Sequence, residues 1–170
     1  GQHAEAAAMD RKTLNVQKRV LGHEHPDTLA TAMNLACALG LQGQHAKAGE
    51  MYAETLVVQK RVLGKEHPDT LLTATNIANA LNSQGQHAEA TKIYHETLEV
   101  QGRVLGKEHH DTRLSSYNLA STLIEQGKHT AAETMYKEVL VVQKRVLGEE
   151  HPHTLLAASN LAAAISNQGK

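Results

Sequence analysis

Gln59-Lys60-Arg61-Val62-Leu63-Gly64-Lys65-Glu66-His67-Pro68-Asp69-Thr70 is one of four copies of a pattern, Gln-x-Arg-Val-Leu-Gly-x-Glu-His-x-x-Thr, whose glycine falls at Gly22, Gly64, Gly106 and Gly148. The step is 42 residues each time. So constant a period belongs to a stack of similar units, each too small to bury its apolar face alone, and not to one globular core. The periods 1–42, 43–84, 85–126 and 127–168 fill the 170 residues as a single repeat array. Gly1, Gly43, Gly85, Gly127 and Gly169 share one register, so the chain reads as a fragment of a longer array.

Outward from that stretch, each glycine follows a helical run and can close its last turn in the left-handed region without a Cβ clash. A new helix begins at Pro26, Pro68 and Pro152, where a fixed φ suits the first helical position. Asp27 and Asp69 then meet the positive end of the helix dipole. Leu29, Ala32, Leu35, Ala36 and Leu39 recur at spacings of three and four, as do Ala48, Met51, Tyr52, Thr55, Leu56 and Gln59 on the next helix. The same alternation of shorter and longer helices predicts eight, over 2–21, 26–42, 45–63, 68–84, 87–105, 110–126, 129–147 and 152–168. No stretch sustains the period-two alternation of a strand. The expected fold is all-α, an α-solenoid of stacked antiparallel helix pairs. The third period departs from the others, with His110 in place of proline and Gly102 in place of lysine, and is expected to be locally looser.

Composition narrows the function. Seventeen basic and eighteen acidic residues give a net charge of −1, so no basic stripe is available for a phosphate backbone and nucleic acid is a poor partner. No run approaches the roughly 20 apolar residues that span a bilayer, which argues against a membrane partner. The single cysteine, Cys37, cannot form an intramolecular disulfide, and a reduced, cytoplasmic setting is the simplest fit.

Asn34-Leu35-Ala36 with Leu39, then Gly43, Ala48 and Tyr52, recurs as Asn76-Ile77-Ala78, Leu81, Gly85, Ala90 and Tyr94. It recurs again as Asn118-Leu119-Ala120, Leu123, Gly127, Ala132 and Tyr136. This resembles the tetratricopeptide repeat, in which small residues let two antiparallel helices approach and an aromatic fills the gap between units. The usual period there is about 34 residues. The longer period here, with its Asn-Leu-Ala and Val-Leu-Gly elements, resembles the repeats of kinesin light chain. The resemblance implies a right-handed superhelix whose shorter helices line a concave groove. It also implies a non-enzymatic protein–protein interaction scaffold that binds a peptide or protein segment there. Asp10 departs from the pattern, standing where the aromatic is expected.

Asn34, Asn76, Asn118 and Asn160 stand one period apart on the shorter helices. A carboxamide both donates and accepts, which suits it to hold the backbone of an extended peptide, and the resemblance places this position in the groove. The same side chains could instead bond a neighbouring helix and hold the repeats in register, and both readings stay open. Met33, Cys37, Thr75, Asn79, Tyr117, Ser121, Ser159 and Ala163 lie one turn away and are mostly small and neutral. Co-chaperone members grip a ligand carboxylate with Lys or Arg at such positions, and none stands among these.

Twelve histidines invite a metal reading. Most fall in two ladders, His3, His45, His87, His129 and His25, His67, His109, His151. Equivalent residues of stacked helices lie roughly 10 Å apart, whereas ligands sharing a zinc each lie about 2 Å from it. Structural roles at helix starts are the expectation, with no metal and no cofactor. Arg19, Arg61, Arg103 and Arg145 are expected to pair with acids such as Glu24, Glu66, Glu108 and Glu150 in the connection that follows each. No nucleophile stands beside a base and no paired carboxylates share a pocket, so an enzyme is not expected. An alternative to the peptide-binding scaffold is a spacer module that stacks on itself head-to-tail, the face of residues 152–168 meeting that of residues 2–21.

Overall fold

A computed structural model describes residues 2–169, with the side chains of residues 4–168. Gly1 and the side chain of His3, both used in the periodicity above, lie outside them. The described residues form eight α-helices, α1 Gln2–Val20, α2 Pro26–Leu41, α3 His45–Val62, α4 Pro68–Ser83, α5 His87–Val104, α6 His110–Glu125, α7 His129–Leu147 and α8 Pro152–Ser166. A short 3-10 turn, Asn167–Gly169, follows, and no strand occurs among the described residues. The boundaries fall within one or two residues of the sequence expectation. The chain forms two compact units, Gly1–Gly85 and Gln86–Lys170. In the first, each helix from α1 to α4 packs on the next, and in the second each helix from α5 to α8 does the same.

Every short helix starts on a histidine cap. The Nδ1 of His25, His67, His109 and His151 accepts the backbone amide two residues on, at 3.2 Å in each case. A ring nitrogen that accepts carries no proton, so the proton sits on Nε2. One of the orphan donors of each helix start is thereby satisfied. Because the cap is the constant element, α6 begins in the same way with His110 in place of proline, and it is 16 residues long like α2 and α4. Helix α5 runs through Gly102 and matches α3 at 18 residues. Neither departure of the third period shortens a helix.

The helix ends close as the repeated glycines imply. Gly64 has φ +95° and its amide donates to the Gln59 carbonyl at 3.2 Å, while Gly43 has φ +76° and the following Gln44 amide reaches the Leu39 carbonyl at 3.0 Å. Left-handed backbone at these points costs little only without a Cβ.

Small residues set the helix spacing in the first unit. A Cβ placed on Gly40 would lie 3.9 Å from that of Ala48, and one on Gly49 would lie 3.7 Å from that of Ala80. Ala36 and Ala48 are buried at the α2–α3 contact, and Ala120, Ala132 and Tyr136 fill the corresponding place in the second unit. At the joint of each hairpin, Gln59, Gln101, Gln143 and Thr70, Thr112, Thr154 are buried too. The Oε1 of each of these glutamines and the Oγ1 of each threonine have no hydrogen-bond partner among the described residues. Burying such atoms costs about 1–3 kcal/mol each.

The arginine pairing runs opposite to expectation. Arg61 Nη2 donates to Glu24 at 2.5 Å, and Arg145 pairs with Glu108. Each arginine therefore reaches back to the preceding connection, because its long helix runs antiparallel to the short helix before it and ends beside that helix's start. Both pairs are exposed and contribute roughly 0–1 kcal/mol.

Candidate functional site

In the first unit the short helices α2 and α4 carry Asn34, Asn76 and Asn79. Asn34 is exposed. Asn79 Nδ2 donates to Asn76 Oδ1 at 3.5 Å, so these two carboxamides share a local bond. Met33 sits against α4, with the Thr73 hydroxyl 3.2 Å from its sulfur. Cys37 is exposed, and its thiol bonds the Tyr52 hydroxyl. Burial pushes the Tyr52 phenol well above its ordinary value, and the neighbouring thiol adds to the shift.

In the second unit the register position of Met33 holds Tyr117, and the arrangement changes. The Tyr117 ring meets Tyr136 edge-on, with centroids 5.7 Å apart and planes at 72°. Asn160 Nδ2 donates to the Tyr117 hydroxyl at 2.7 Å and to the Tyr136 hydroxyl at 3.2 Å. Ser121 also bonds the Tyr136 hydroxyl. Burial pushes both phenols up, and the Asn160 bonds partly offset it. Tyr94 is likewise pushed up, first by burial and then by Glu125, against a lowering bond from Thr122.

Beside this cluster lies a cavity of 470 Å³, within the usual range for ligand pockets. Leu114, Leu147 and Leu156, from α6, α7 and α8, form its apolar wall. Tyr117, Asn118 and Gln143 supply its polar atoms, and Gln143 is buried with its Oε1 unbonded. Arg113 and the imidazoles of His110, His151 and His153 complete the lining. Arg113 Nε donates to the Glu108 carbonyl at 3.1 Å, and its guanidinium has no carboxylate partner among the described residues.

The sequence singled out Tyr117 and Asn118, and both line this cavity. Asn160 and Ser121 stand behind it, in the tyrosine cluster. Arg113, one turn before Tyr117 on α6, also lines the cavity and gives it a charge that the neighbouring groove candidates lack. A signal for it was present: His110, Arg113, Tyr117 and His153 all break the repeat, standing where other copies have Pro26, Leu29, Met33 and Asp27.

A second cleft, of 860 Å³, lies among α5, α6 and α7. Leu98, Met135, Val139 and Val142 make it apolar, and Gly102 opens it where α3 and α7 carry Lys60 and Lys144. Its charged residues are of both signs, Glu96, Glu99 and Glu138 against Lys107, Arg113 and Lys137. Among the described residues no group of three or more His, Cys, Asp or Glu side chains could hold a metal ion, and no helix is long and apolar enough to cross a membrane.

Family and structural comparisons agree with the helical-repeat fold. The family model described as Tetratricopeptide repeat matches residues 1–56, 38–90, 69–140 and 113–170. The crystal structure of the nearly identical TPR-like, kinesin light chain-type repeats of Podosopora anserina is similar at TM-score 0.84 and 30% identity, covering 99% of this chain and 80% of that one. Its Gln-to-Met variant is similar at TM-score 0.85, with the same identity and coverage. BtubC (BKLC) from P. vanneervenii shares the fold at TM-score 0.86 and 21% identity, over 99% of this chain and 67% of that one. No curated protein matches the chain in sequence.

Proposed function

The chain belongs to the tetratricopeptide repeat family, whose members generally serve as protein-interaction scaffolds, and from that premise we propose that it binds a peptide or protein segment on its short helices. The seat of binding is the α6–α8 face of the second unit. The observation that carries this reading is the 470 Å³ cavity, which joins three leucines to Tyr117, Asn118 and an Arg113 with no carboxylate partner. Leu114, Leu147 and Leu156 suit an apolar side chain, while the carboxamide of Asn118 can meet a peptide backbone. Asn34, Asn76 and Asn79 on the short helices of the first unit are candidate peptide contacts of that unit by itself. Nothing in either cleft pairs a nucleophile with a base, which supports a non-enzymatic role, and the single thiol Cys37 suits a cytoplasmic setting.

Peptides selected from a random library against the purified chain test this reading. Selected binders should lose at least about tenfold in affinity to Leu156→Glu and to Arg113→Ala, with helix content unchanged. Affinity that survives both substitutions removes the cavity from the proposal.

The exposed faces of α8 and α1 favour a second reading, a spacer that stacks head-to-tail on copies of itself. Sedimentation that stays strictly monomeric at high concentration counts against it.

A further inference from the structure

The cavity at the starts of α6 and α8 is lined by basic side chains and by no acid. Arg113, His110, His151 and His153 face it, and among the described residues no Asp or Glu does. The acids of the adjoining connections are engaged elsewhere. His110 Nδ1 donates to Asp111 at 3.0 Å, Arg145 pairs with Glu108, and Lys144 donates to Glu149 at 3.0 Å. Arg113 uses its Nε on the Glu108 carbonyl at 3.1 Å, which leaves the two Nη groups as a fork of donors. His151 Nδ1 accepts the His153 amide at 3.2 Å, so its Nε2 carries a proton to give. The His153 ring stands edge-on to that of His151, with centroids 5.3 Å apart.

The first unit builds the same joint, at the starts of α2 and α4, without this chemistry. There Pro26 stands for His110, Leu29 for Arg113 and Asp69 for His153. Leu29 is buried, and the Asp69 carboxylate is exposed, 3.8 Å from His67. Replacing that leucine by arginine and that aspartate by histidine turns the local charge from negative to positive, in a chain whose net charge is −1. Packing does not call for the change, since the other three copies fill the position of Arg113 with Leu29, Leu71 and Leu155.

Resting on the peptide-binding reading above, we propose that the segment taken by this cavity carries a phosphoryl group, held by Arg113, His151 and His153, with an apolar neighbour against the three leucines. A phosphoryl group brings a charge of about −1.5 to −2 and three acceptor oxygens. The guanidinium fork and two imidazole N–H groups together supply donors to all three oxygens, whereas the fork alone already matches the two oxygens of a carboxylate. Glu108 and Glu149 are exposed in the connections that lead into α6 and α8, and they would repel an extended polyanion such as a nucleic acid or an anionic lipid surface. A single phosphorylated side chain inside the cavity does not meet them.

Peptide libraries with a fixed central phosphoserine, serine or glutamate, screened on the full 170-residue chain, test the proposal. The phosphoserine library should yield the tightest binders, and phosphatase treatment should cost each of them at least about tenfold in affinity. Arg113→Leu and His153→Asp each restore the residue that other copies carry, so helix content by circular dichroism should stay constant. Each should bring the ratio of phosphorylated to unphosphorylated affinity close to one. Serine or glutamate peptides that bind as tightly as phosphoserine ones, or a ratio that neither variant moves, overturn the phosphoryl group and leave peptide binding standing. Capture of the chain by phosphoinositide vesicles or single-stranded RNA in preference to every peptide overturns it as well. A chain that binds nothing from any of the three libraries removes the peptide reading, and this inference with it.

Discussion

The amide of Asn160 on α8 donates to the hydroxyl of Tyr117 on α6 at 2.7 Å, tying together two short helices separated in sequence by the whole of α7. The same Nδ2 reaches Tyr136 on α7 at 3.2 Å, so one carboxamide serves three helices. Asn160→Ala removes both bonds, from the half-buried Tyr117 phenol and from the fully buried Tyr136 phenol, which keeps only Ser121. We expect a loss of about 1–3 kcal/mol in urea unfolding, from two bonds of about 0.5–1.5 kcal/mol each. In a double-mutant cycle with Tyr117→Phe the two losses should not add, because they delete the same bond.

Gln101 should give the opposite sign. Its side chain is fully buried, and neither its Nε2 nor its Oε1 finds a partner among the described residues. Methionine has nearly the same shape and no such groups to desolvate. Gln101→Met should raise the urea midpoint, by about 1–3 kcal/mol of stability. An unchanged or lowered midpoint would mean that the glutamine is satisfied in solution.

The histidine caps predict a graded series. His67→Ala should cost about 1 kcal/mol, the usual value of an N-cap, while His67→Asn, which restores a side-chain acceptor, should recover most of it. Thermal unfolding of the two variants separates a capping role from a packing role, since alanine and asparagine both remove the ring.

Alkaline pH should unfold the chain through its tyrosines. The phenols of Tyr52, Tyr94, Tyr117 and Tyr136 are all raised above the ordinary value of 10.0, chiefly by burial. Above that pH the unfolded chain releases these protons while the folded chain keeps them. The unfolded state then binds fewer protons, so stability is unaffected below pH 10 and falls as pH rises past it. Tyr94→Phe should flatten that fall, measured as the urea midpoint against pH.

The 42-residue period, eight helices, glycine stops and family were legible in the sequence because they rest on local chemistry repeated four times. Capping, helical spacing and left-handed glycine each depend on residues a few positions apart, and repetition makes the pattern unmistakable. The candidate site was legible only in part. Asn118 and Tyr117 stood out on α6, but the cavity also needs Gln143 and Leu147 from α7 and Leu156 from α8. Strict periodicity also suggested that equivalent asparagines act alike, whereas Asn34 is exposed, Asn76 accepts from Asn79, and Asn160 bonds two tyrosines. What a side chain touches depends on the residue one repeat away, and there the copies differ, as Met33 and Tyr117 do.

By itself the sequence determined the repeat, the helices and where they stop. Only the tertiary structure decided that Arg61 and Arg145 pair backward, that the Oε1 atoms of Gln59, Gln101 and Gln143 lack partners among the described residues, and that His110, Arg113, Tyr117 and His153 converge on one cavity. The physical reason is the antiparallel packing of consecutive helices, which sets the end of one beside the start of the one before and so makes neighbours of residues some 37 to 43 positions apart.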